Sequence, residues 1–287
     1  MLEVHEVPEG AQSLEGHAEL EQRLRGHVHS IARPRHRRAQ AAENRAVAEY
    51  VARELESMGF KVEWQGRFAN LVALPVHPKG PPTLVAAHYD SVPCSPGADD
   101  NASAVAVLLE VARAAASQQA NVGFVAFNAE EEGLVGSSDF VAESPIVPSV
   151  VHVLEMVGYT DRRRGAQRKP FYLPIRMPDV GDFLGVIANA KSRPHLERVE
   201  AAARTSAFGP RLLTLRTRFG VERLLFDLLR SDHVPFWKRG TPALMWTDTA
   251  NFRNPNYHRG TDTPDTLDYA FMTRVCLLLC ASLDLAN

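Results

Sequence analysis

The sequence predicts one α/β domain, an α/β/α sandwich in which helices cover both faces of a mixed, mainly parallel sheet. The first observation is the stretch from Thr83 to Ala116, where an apolar run, a polar loop and a helical pattern form half of a βαβ unit. The second is that buried, strand-like runs recur at 122–127 and 150–154. The third is that no internal repeat, low-complexity tract or linker divides the 287 residues, so a single domain over 1–287 is expected.

The other elements follow from the spacing of apolar residues. Apolar side chains three and four positions apart predict helices, and alternating ones predict half-buried strands. The charged, proline-bearing segment 160–176 is typical of a surface loop, and the type of the apolar run 221–229 stays open. In chain order, the patterns predict helices around 20–31 and 47–58, strands at 60–64 and 70–74, helices at 102–117, near 183–190 and at 196–203, a strand at 243–246 and a C-terminal helix over 269–283.

A basic segment at 33–38 follows the first helix. Such a charge run could bind a phosphate or an acidic partner, but a solvated linker is the favoured interpretation. Residues 1–40, which contain the first helix and this segment, are expected to pack on the rest of the domain.

Composition excludes several classes of protein. The chain is 45% hydrophobic and 23% charged with a formal net charge of −2, which is typical of a globular protein without a nucleic-acid or membrane partner. Three cysteines give an odd count and no disulfide framework. No apolar stretch reaches transmembrane length, and the N-terminus lacks a basic region followed by an apolar one. A cytoplasmic location is therefore expected, and the oligomeric state stays open.

Four separate apolar runs each lead into a side chain that can bind a metal ion: His88, Glu131, Glu155 and His258. The carboxyl ends of parallel strands lie at one edge of a sheet, so these side chains are expected to meet there, together with Asp100 from the first loop. Two imidazoles, two terminal carboxylates and one bridging carboxylate suit a pair of zinc ions. The sequence therefore predicts two Zn²⁺ per chain.

Two further acids have predicted roles beside these ligands. Asp90 follows His88 by two positions and could accept the proton on the second imidazole nitrogen, which fixes the tautomer of the ring. Glu130 stands next to Glu131, and adjacent residues cannot easily coordinate the same face of a metal. The spare carboxylate of Glu130 is therefore the predicted general base for a metal-bound water.

Six motifs identify a family resemblance. AAHYDS, PGADDNAS, AEEEGLVGS, LEMVGY, SDHVPFW and NYHRGTDTPDTL occur in the order found in metallopeptidase family 28, the co-catalytic di-zinc exopeptidases, whose relatives include glutaminyl cyclase. The chain resembles this family from about residue 46 to residue 269.

The resemblance implies how the site residues divide between the metals. His88 and Glu155 would hold one zinc, Glu131 and His258 the other, and Asp100 would bridge them. Glu130 falls on the family's base. Tyr257 matches a tyrosine that polarises the scissile carbonyl in some members, and the peptide bond after the bridging aspartate would be cis.

The chain also departs from the family pattern. Glu155 stands where leucine-type aminopeptidases usually have aspartate, and Ala104 replaces a common glycine, which leaves the substrate subclass open. Residues 231–233 read Ser-Asp-His, but three consecutive residues cannot converge as a catalytic triad. Asp232 is interpreted as a residue that supports the site. His233 and His152 are interpreted as structural.

These observations predict a zinc-dependent exopeptidase, an aminopeptidase that acts on peptides with a free N-terminus and uses a metal-bridging water as nucleophile. A glutaminyl cyclase-like acyl transferase is the first alternative. A catalytically inactive binding domain on the same fold is the second. The complete ligand set and Glu130 argue against the inactive domain, because a binding domain needs neither.

Overall fold

The computed structural model describes residues 2–75 and 78–285, which contain nine strands and seven α-helices. The strands β1 to β9 are Leu2–Val7, Lys61–Gln65, Asn70–Leu74, Thr83–His88, Val122–Phe127, Val150–Glu155, Phe183–Ala188, Arg211–Thr217 and Ala243–Thr247. The helices α1 to α7 are Ala18–Ile31, Ala41–Ser57, Ala104–Ser117, Val135–Glu143, Arg193–Thr205, His233–Arg239 and Tyr269–Ser282.

The strands form one mixed sheet in the order β1-β8-β7-β9-β6-β4-β5-β3-β2. Its centre, from β9 through β6 and β4 to β5, is parallel. The flanking pairs β3–β5 and β7–β9 are antiparallel. The predicted α/β fold with a mixed sheet is confirmed, and its parallel centre places the carboxyl ends of β4, β5, β6 and β9 at one edge.

Strand β4 shows how the sheet separates two layers of helices. Val85 and Ala87 belong to a core that includes residues of α1, α2, α3, α5 and α7. Leu84 and Ala86 belong to a second core with residues of α4 and α6. Successive side chains of a strand point to opposite faces, so helices cover both faces, as predicted. In the described part of the chain, no helix is both long and apolar enough to cross a lipid bilayer.

One prediction of secondary structure was wrong. The segment predicted as a helix near 183–190 is strand β7, because a short apolar run has no decisive periodicity and FLGVIA lies fully within the sheet. Strands β1 and β8, which pair at one edge of the sheet, were not predicted at all. In β8 every residue after Arg211 is buried, including two threonines and Arg216. Because polar residues occupy these buried positions, the sequence lacks the apolar run that would have predicted a strand.

The prediction of a solvated linker at 33–38 is wrong for Arg35, which is completely buried. Its guanidinium donates hydrogen bonds to the carbonyl oxygens of Tyr89 at 2.6 Å, Pro96 at 2.5 Å and Gly97 at 2.9 Å. Burial lowers the pKa of Arg35 to about 10, although the neighbouring carboxylates of Asp100 and Asp90 oppose this shift. The basic segment therefore fastens the loop that follows β4.

Candidate metal centre

The five predicted metal ligands meet at the carboxyl edge of the parallel strands. His88 is the last residue of β4, and Glu155 is the last residue of β6. Asp100 lies in the loop between β4 and α3, Glu131 follows β5, and His258 lies in the loop after β9. In a parallel sheet the carboxyl ends of the strands lie at one edge, so strand ends and the loops that follow them bring these side chains together.

Asp100 lies between the two imidazoles. Its Oδ1 is 3.3 Å from Nε2 of His88, and its Oδ2 is 3.1 Å from Nε2 of His258. A second carboxylate oxygen lies beside each of these nitrogens. Glu155 Oε1 is 3.5 Å from Nε2 of His88, and Glu131 Oε2 is 3.3 Å from Nε2 of His258. The arrangement is two donor sets that share one carboxylate.

The donor set fits a metal for a further reason. Both ring nitrogens of His88 are buried and make no hydrogen bond of ordinary geometry, although a buried imidazole normally has a partner. A neutral imidazole nitrogen surrounded by carboxylate oxygens is the environment that zinc prefers. Metal-competent atoms within 4.8 Å of one another also form two groups: His88 with Glu130 and Glu155, and Asp100 with Glu131 and His258.

Electrostatics in the centre favour a cation. Burial, together with the charge of Asp100, raises the pKa of Glu131 to about 7. Burial also raises the pKa of Glu130 well above its ordinary value, against the influence of His88. Burial alone would lower the pKa of His258, but its hydrogen bonds with Asp100 and Glu131 raise it to about 10. A divalent ion that binds these crowded carboxylates would displace their protons to solvent and take their place.

Asp90 connects His88 to the turn after β5. Its Oδ1 lies 3.4 Å from Nδ1 of His88, on the side of the ring opposite Asp100. The same carboxylate accepts hydrogen bonds from the backbone N–H of Glu130 at 3.2 Å and of Glu131 at 3.3 Å. Asp90 therefore contacts the predicted ligands His88 and Glu131 and the predicted base Glu130.

Tyr257 lies beside the centre, with its ring stacked on His258 at a centroid distance of 3.7 Å. Its hydroxyl accepts a hydrogen bond from Nη2 of Arg230 at 3.0 Å. The peptide bond between Asp100 and Asn101 is cis, as the resemblance implied.

Three residues support the site in ways that were not predicted from the sequence. Ser231 Oγ donates a hydrogen bond to Oε2 of Glu155 at 2.6 Å. Asp262 accepts hydrogen bonds from the backbone N–H groups of Asp99 at 2.9 Å and Asp100 at 3.1 Å. Arg230 is the third, through Tyr257. Ser231 and Asp262 lie inside motifs that identified the family, so a signal was present, whereas Arg230 precedes its motif by one position.

The remaining polar residues of interest lie in the interior. Burial raises the pKa of Asp232 to about 7, and the charges of Glu155 and Asp90 add to that shift. His152 Nδ1 accepts a hydrogen bond from Trp246 Nε1 at 3.2 Å, and His233 Nε2 lies 2.9 Å from the carbonyl oxygen of Leu228. Burial lowers the pKa of His152 to about 3 and that of His233 to about 4, so both rings are neutral at pH 7.

An apolar pocket of about 120 Å³ opens beside the centre. Glu155 and Tyr257 form the wall that it shares with the candidate ligands, and Arg230 lies at the same wall. Its other walls are largely aliphatic and aromatic, with contributions from Leu173, Ile175, Met177, Phe183, Leu215 and Met245.

Comparison with known proteins places the chain in a family context. The model of peptidase family M28 matches residues 71–283. The uncharacterized protein YfbL of Escherichia coli (strain K12) is 34% identical over 250 residues, which cover 79% of this chain and 76% of YfbL.

Two solved structures illustrate the range of proteins with a similar fold. A zinc aminopeptidase from Bacillus subtilis, BSAP, is 29% identical with a TM-score of 0.56, over 74% of this chain and 48% of that one. A glutaminyl cyclase from Tannerella forsythia has a TM-score of 0.68 at 20% identity, over 93% of this chain and 99% of that one. At this identity the cyclase shares the fold alone. The same architecture therefore occurs with at least two activities.

Proposed function

Since the chain belongs to peptidase family M28, as its motifs predicted, we propose that it is a zinc-dependent aminopeptidase that hydrolyses the first peptide bond of substrates with a free N-terminus. The observation that carries this proposal is the position of Asp100, whose two carboxylate oxygens face two different imidazoles. A shared carboxylate between two such donor sets is what a pair of adjacent metal ions requires.

Two zinc ions per chain are part of the proposal. His88 and Glu155 would hold one ion, Glu131 and His258 would hold the other, and Asp100 would bind both. When bound, the ions would lower the pKa of a water molecule between them and polarise the scissile carbonyl. Asp90 would keep the proton on Nδ1 of His88, so that Nε2 stays free as a ligand.

Glu130 is the proposed general base. Its carboxylate lies with His88 and Glu155 in one group of metal-competent atoms, and its backbone is fixed by Asp90. Its side chain would accept a proton from the attacking water and return it to the leaving amine. A carboxylate beside His88 and Glu155 that is not needed as one of the five proposed ligands suits this role.

Tyr257 is the proposed donor to the oxyanion. Because arginine can only donate hydrogen bonds, the phenol oxygen accepts from Arg230 and keeps its own proton for another acceptor. A hydroxyl that points at a developing negative charge stabilises the transition state more than the ground state.

The substrate's first residue would lie between the centre and the apolar pocket. Glu155 borders both, and the negative field of the carboxylates favours an ammonium or amine at close range. An apolar cavity of about 150 Å³ accommodates benzene, so a pocket of about 120 Å³ suits the side chain of an N-terminal residue.

The cyclase alternative is supported by the fold shared with the Tannerella forsythia enzyme. An acyl transferase of that kind would need one metal and no attack by water, so metal content and substrate choice separate the two activities. We expect about two zinc ions per chain in the purified protein and loss of hydrolysis after chelation.

The decisive comparison uses matched peptides with free and acetylated N-termini and a peptide that begins with glutamine. We expect cleavage of the free peptides only, with release of the first amino acid. Equal cleavage of the acetylated peptides would replace the aminopeptidase assignment by another amidohydrolase. Cyclisation of the glutaminyl peptide without hydrolysis would establish the cyclase, and no turnover by the metal-loaded protein would establish a binding domain.

A further inference from the structure

Two segments form the outer border of the apolar pocket. We call residues 168–177 and 218–230 the lip segments; the first lies between β6 and β7, the second between β8 and α6. They touch through a hydrogen bond between the Tyr172 hydroxyl and the Asp227 carboxylate. Their inward residues, Leu173, Leu225 and Leu228, form a small core with Leu215 of β8. The lip segments are therefore anchored on the sheet from beneath.

The outward residues of the lip segments are unusually apolar. Phe171 is 96% exposed, Phe219 89%, Leu224 82% and Phe226 73%. Side chains this exposed project into solvent rather than line a groove. A cluster of large apolar side chains on the surface marks a site of interaction, because exposure of apolar surface to water is unfavourable.

The free charges of the lip segments are positive. Arg176 and Arg223 are exposed and, within residues 2–75 and 78–285, make no salt bridge or side-chain hydrogen bond. The acids are engaged: Asp227 contacts Tyr172 and Arg230, and Glu222 accepts a hydrogen bond from the Thr217 hydroxyl. A chain with a net charge of −2 thus presents an apolar, basic face around its pocket.

We propose that the lip segments dock on an anionic lipid surface, with Phe171, Leu224 and Phe226 inserted among the headgroups. Exposed aromatic and aliphatic side chains next to cations are the chemistry that binds such an interface. A second copy of the chain fits less well, because a two-fold contact of this face would bring its unpaired arginines together. The sequence-based expectation of no membrane partner rests on the net charge of the whole chain, whereas this proposal rests on the local charge and apolar exposure of the lip segments.

The docking would place the mouth of the pocket at the lipid surface. Peptides that lie on or emerge from a membrane would then reach the candidate centre without crossing bulk water. The inference goes beyond the proposed hydrolysis and does not depend on it, since binding to vesicles can be measured without turnover.

The test is flotation of the intact protein with vesicles of phosphatidylcholine alone and of phosphatidylcholine mixed with phosphatidylglycerol. We expect binding to the anionic vesicles only, and we expect it to weaken as salt rises. The triple variant Phe171→Ser, Leu224→Ser, Phe226→Ser and the double variant Arg176→Glu, Arg223→Glu should each lower the partition coefficient at least about tenfold.

Matched controls lie elsewhere on the surface. Val147→Ser removes an apolar side chain that is 67% exposed, and Arg53→Glu reverses a charge on the exposed face of α2. Both should bind vesicles within about twofold of the wild type. None of the five substituted lip residues lines the pocket, so turnover of a small soluble aminoacyl substrate should stay unchanged in both lip variants.

Three results would overturn the proposal. The first is absence of binding to anionic vesicles. The second is an equal loss of binding in the lip variants and the controls. The third is that the wild type does not bind vesicles but does dimerise, or does bind an acidic peptide such as polyglutamate, and that the lip substitutions abolish this association. The partner would then be a second copy of the chain or an acidic protein. If the wild type shows no turnover, the proposed hydrolysis is contradicted. Its binding to vesicles is a separate result that such an outcome does not affect.

Discussion

Arg230 donates a hydrogen bond from Nη2 to the hydroxyl oxygen of Tyr257 at 3.0 Å. The guanidinium is held from its other side, where Nη1 donates to Oδ1 of Asn251 at 2.9 Å. Because the phenol oxygen is fixed as an acceptor, its O–H is directed away from Arg230. The pair therefore gives Tyr257 a defined orientation beside His258, which the sequence motif alone does not provide.

Tyr257→Phe should lower kcat more than it raises KM. A hydroxyl that contacts the developing oxyanion contributes on the order of 2–4 kcal/mol to the transition state. Steady-state kinetics on a free-N-terminal peptide measures both constants. A change confined to KM would reassign Tyr257 to substrate binding.

The same measurement on Arg230→Met and on the double variant tests whether Arg230 acts through Tyr257. If it does, the double variant should lose little more activity than Tyr257→Phe alone, because coupled residues are not additive. Additive losses would show that Arg230 affects the reaction by another route.

Glu130→Gln should keep the metals and lose turnover. The amide preserves the shape of the side chain but cannot accept a proton from water, so the rate constant should fall at least about 10²-fold. Zinc content and kcat are measured on the same preparation. Glu132→Gln is the neighbouring control, since Glu132 pairs with Arg37 and Arg38 outside the centre, and it should retain most activity. Near-normal kcat in a zinc-replete Glu130→Gln enzyme would place the base elsewhere.

Ser231→Ala should weaken one zinc site without removing a ligand. The Ser231 hydroxyl orients Glu155 through a hydrogen bond of 2.6 Å, and loss of such a partner typically lowers metal affinity about 10- to 100-fold. Competition with a chromogenic chelator should show one zinc weakened and the other unchanged. Ser138→Ala, on an exposed position of α4, should leave both affinities unchanged. Equal weakening of both sites would indicate a general loss of structure.

The sequence predicted those parts of the centre that depend on strand ends and motifs. A metal-competent side chain follows an apolar run at His88 and at Glu155, and this pattern is visible without a structure. Arg35 could not be predicted in the same way. Burial of an arginine depends on backbone carbonyls at 89–97, which only the folded loop brings together. Charge runs in a sequence therefore indicate a surface unless such acceptors are known.

Strand β7 and the lip segments show a second limit. The segment FLGVIA carries no periodicity that separates a strand from a buried helix, so its partners β8 and β9 decide its structure. The type of the apolar run 221–229 is also open from the sequence. In the structure it alternates between Leu225, which is buried, and Leu224 and Phe226, which are exposed. Hydrophobic residues on a surface violate the pattern from which cores are predicted.

Glu110 of α3 is the basis of a prediction about stability and pH. Its side chain is 1% exposed and contacts Nε of Arg23 at 2.8 Å and Nε2 of His27 at 3.1 Å. Burial would raise the pKa of Glu110, but the hydrogen bonds with His27 and Arg23 outweigh it and lower the pKa to about 2. A carboxyl whose pKa is lower in the folded state stabilises the fold above its unfolded value, and this contribution is lost as the pH falls toward 2.

Glu110→Gln should therefore lower the free energy of unfolding at pH 7, by on the order of 3 kcal/mol at most. The difference between wild type and variant should shrink as the pH is lowered from about 5 to about 2, because protonation removes the same charge from the wild type. Urea unfolding at a series of pH values measures this difference, and effects of acid on the metal centre are common to both proteins. Glu49→Gln is the control, since Glu49 forms an exposed pair with Arg45 and should change stability by less than about 1 kcal/mol at any pH. A penalty for Glu110→Gln that stays constant from pH 7 to pH 3 would show that packing, and not the charge of Glu110, stabilises this contact between α1 and α3.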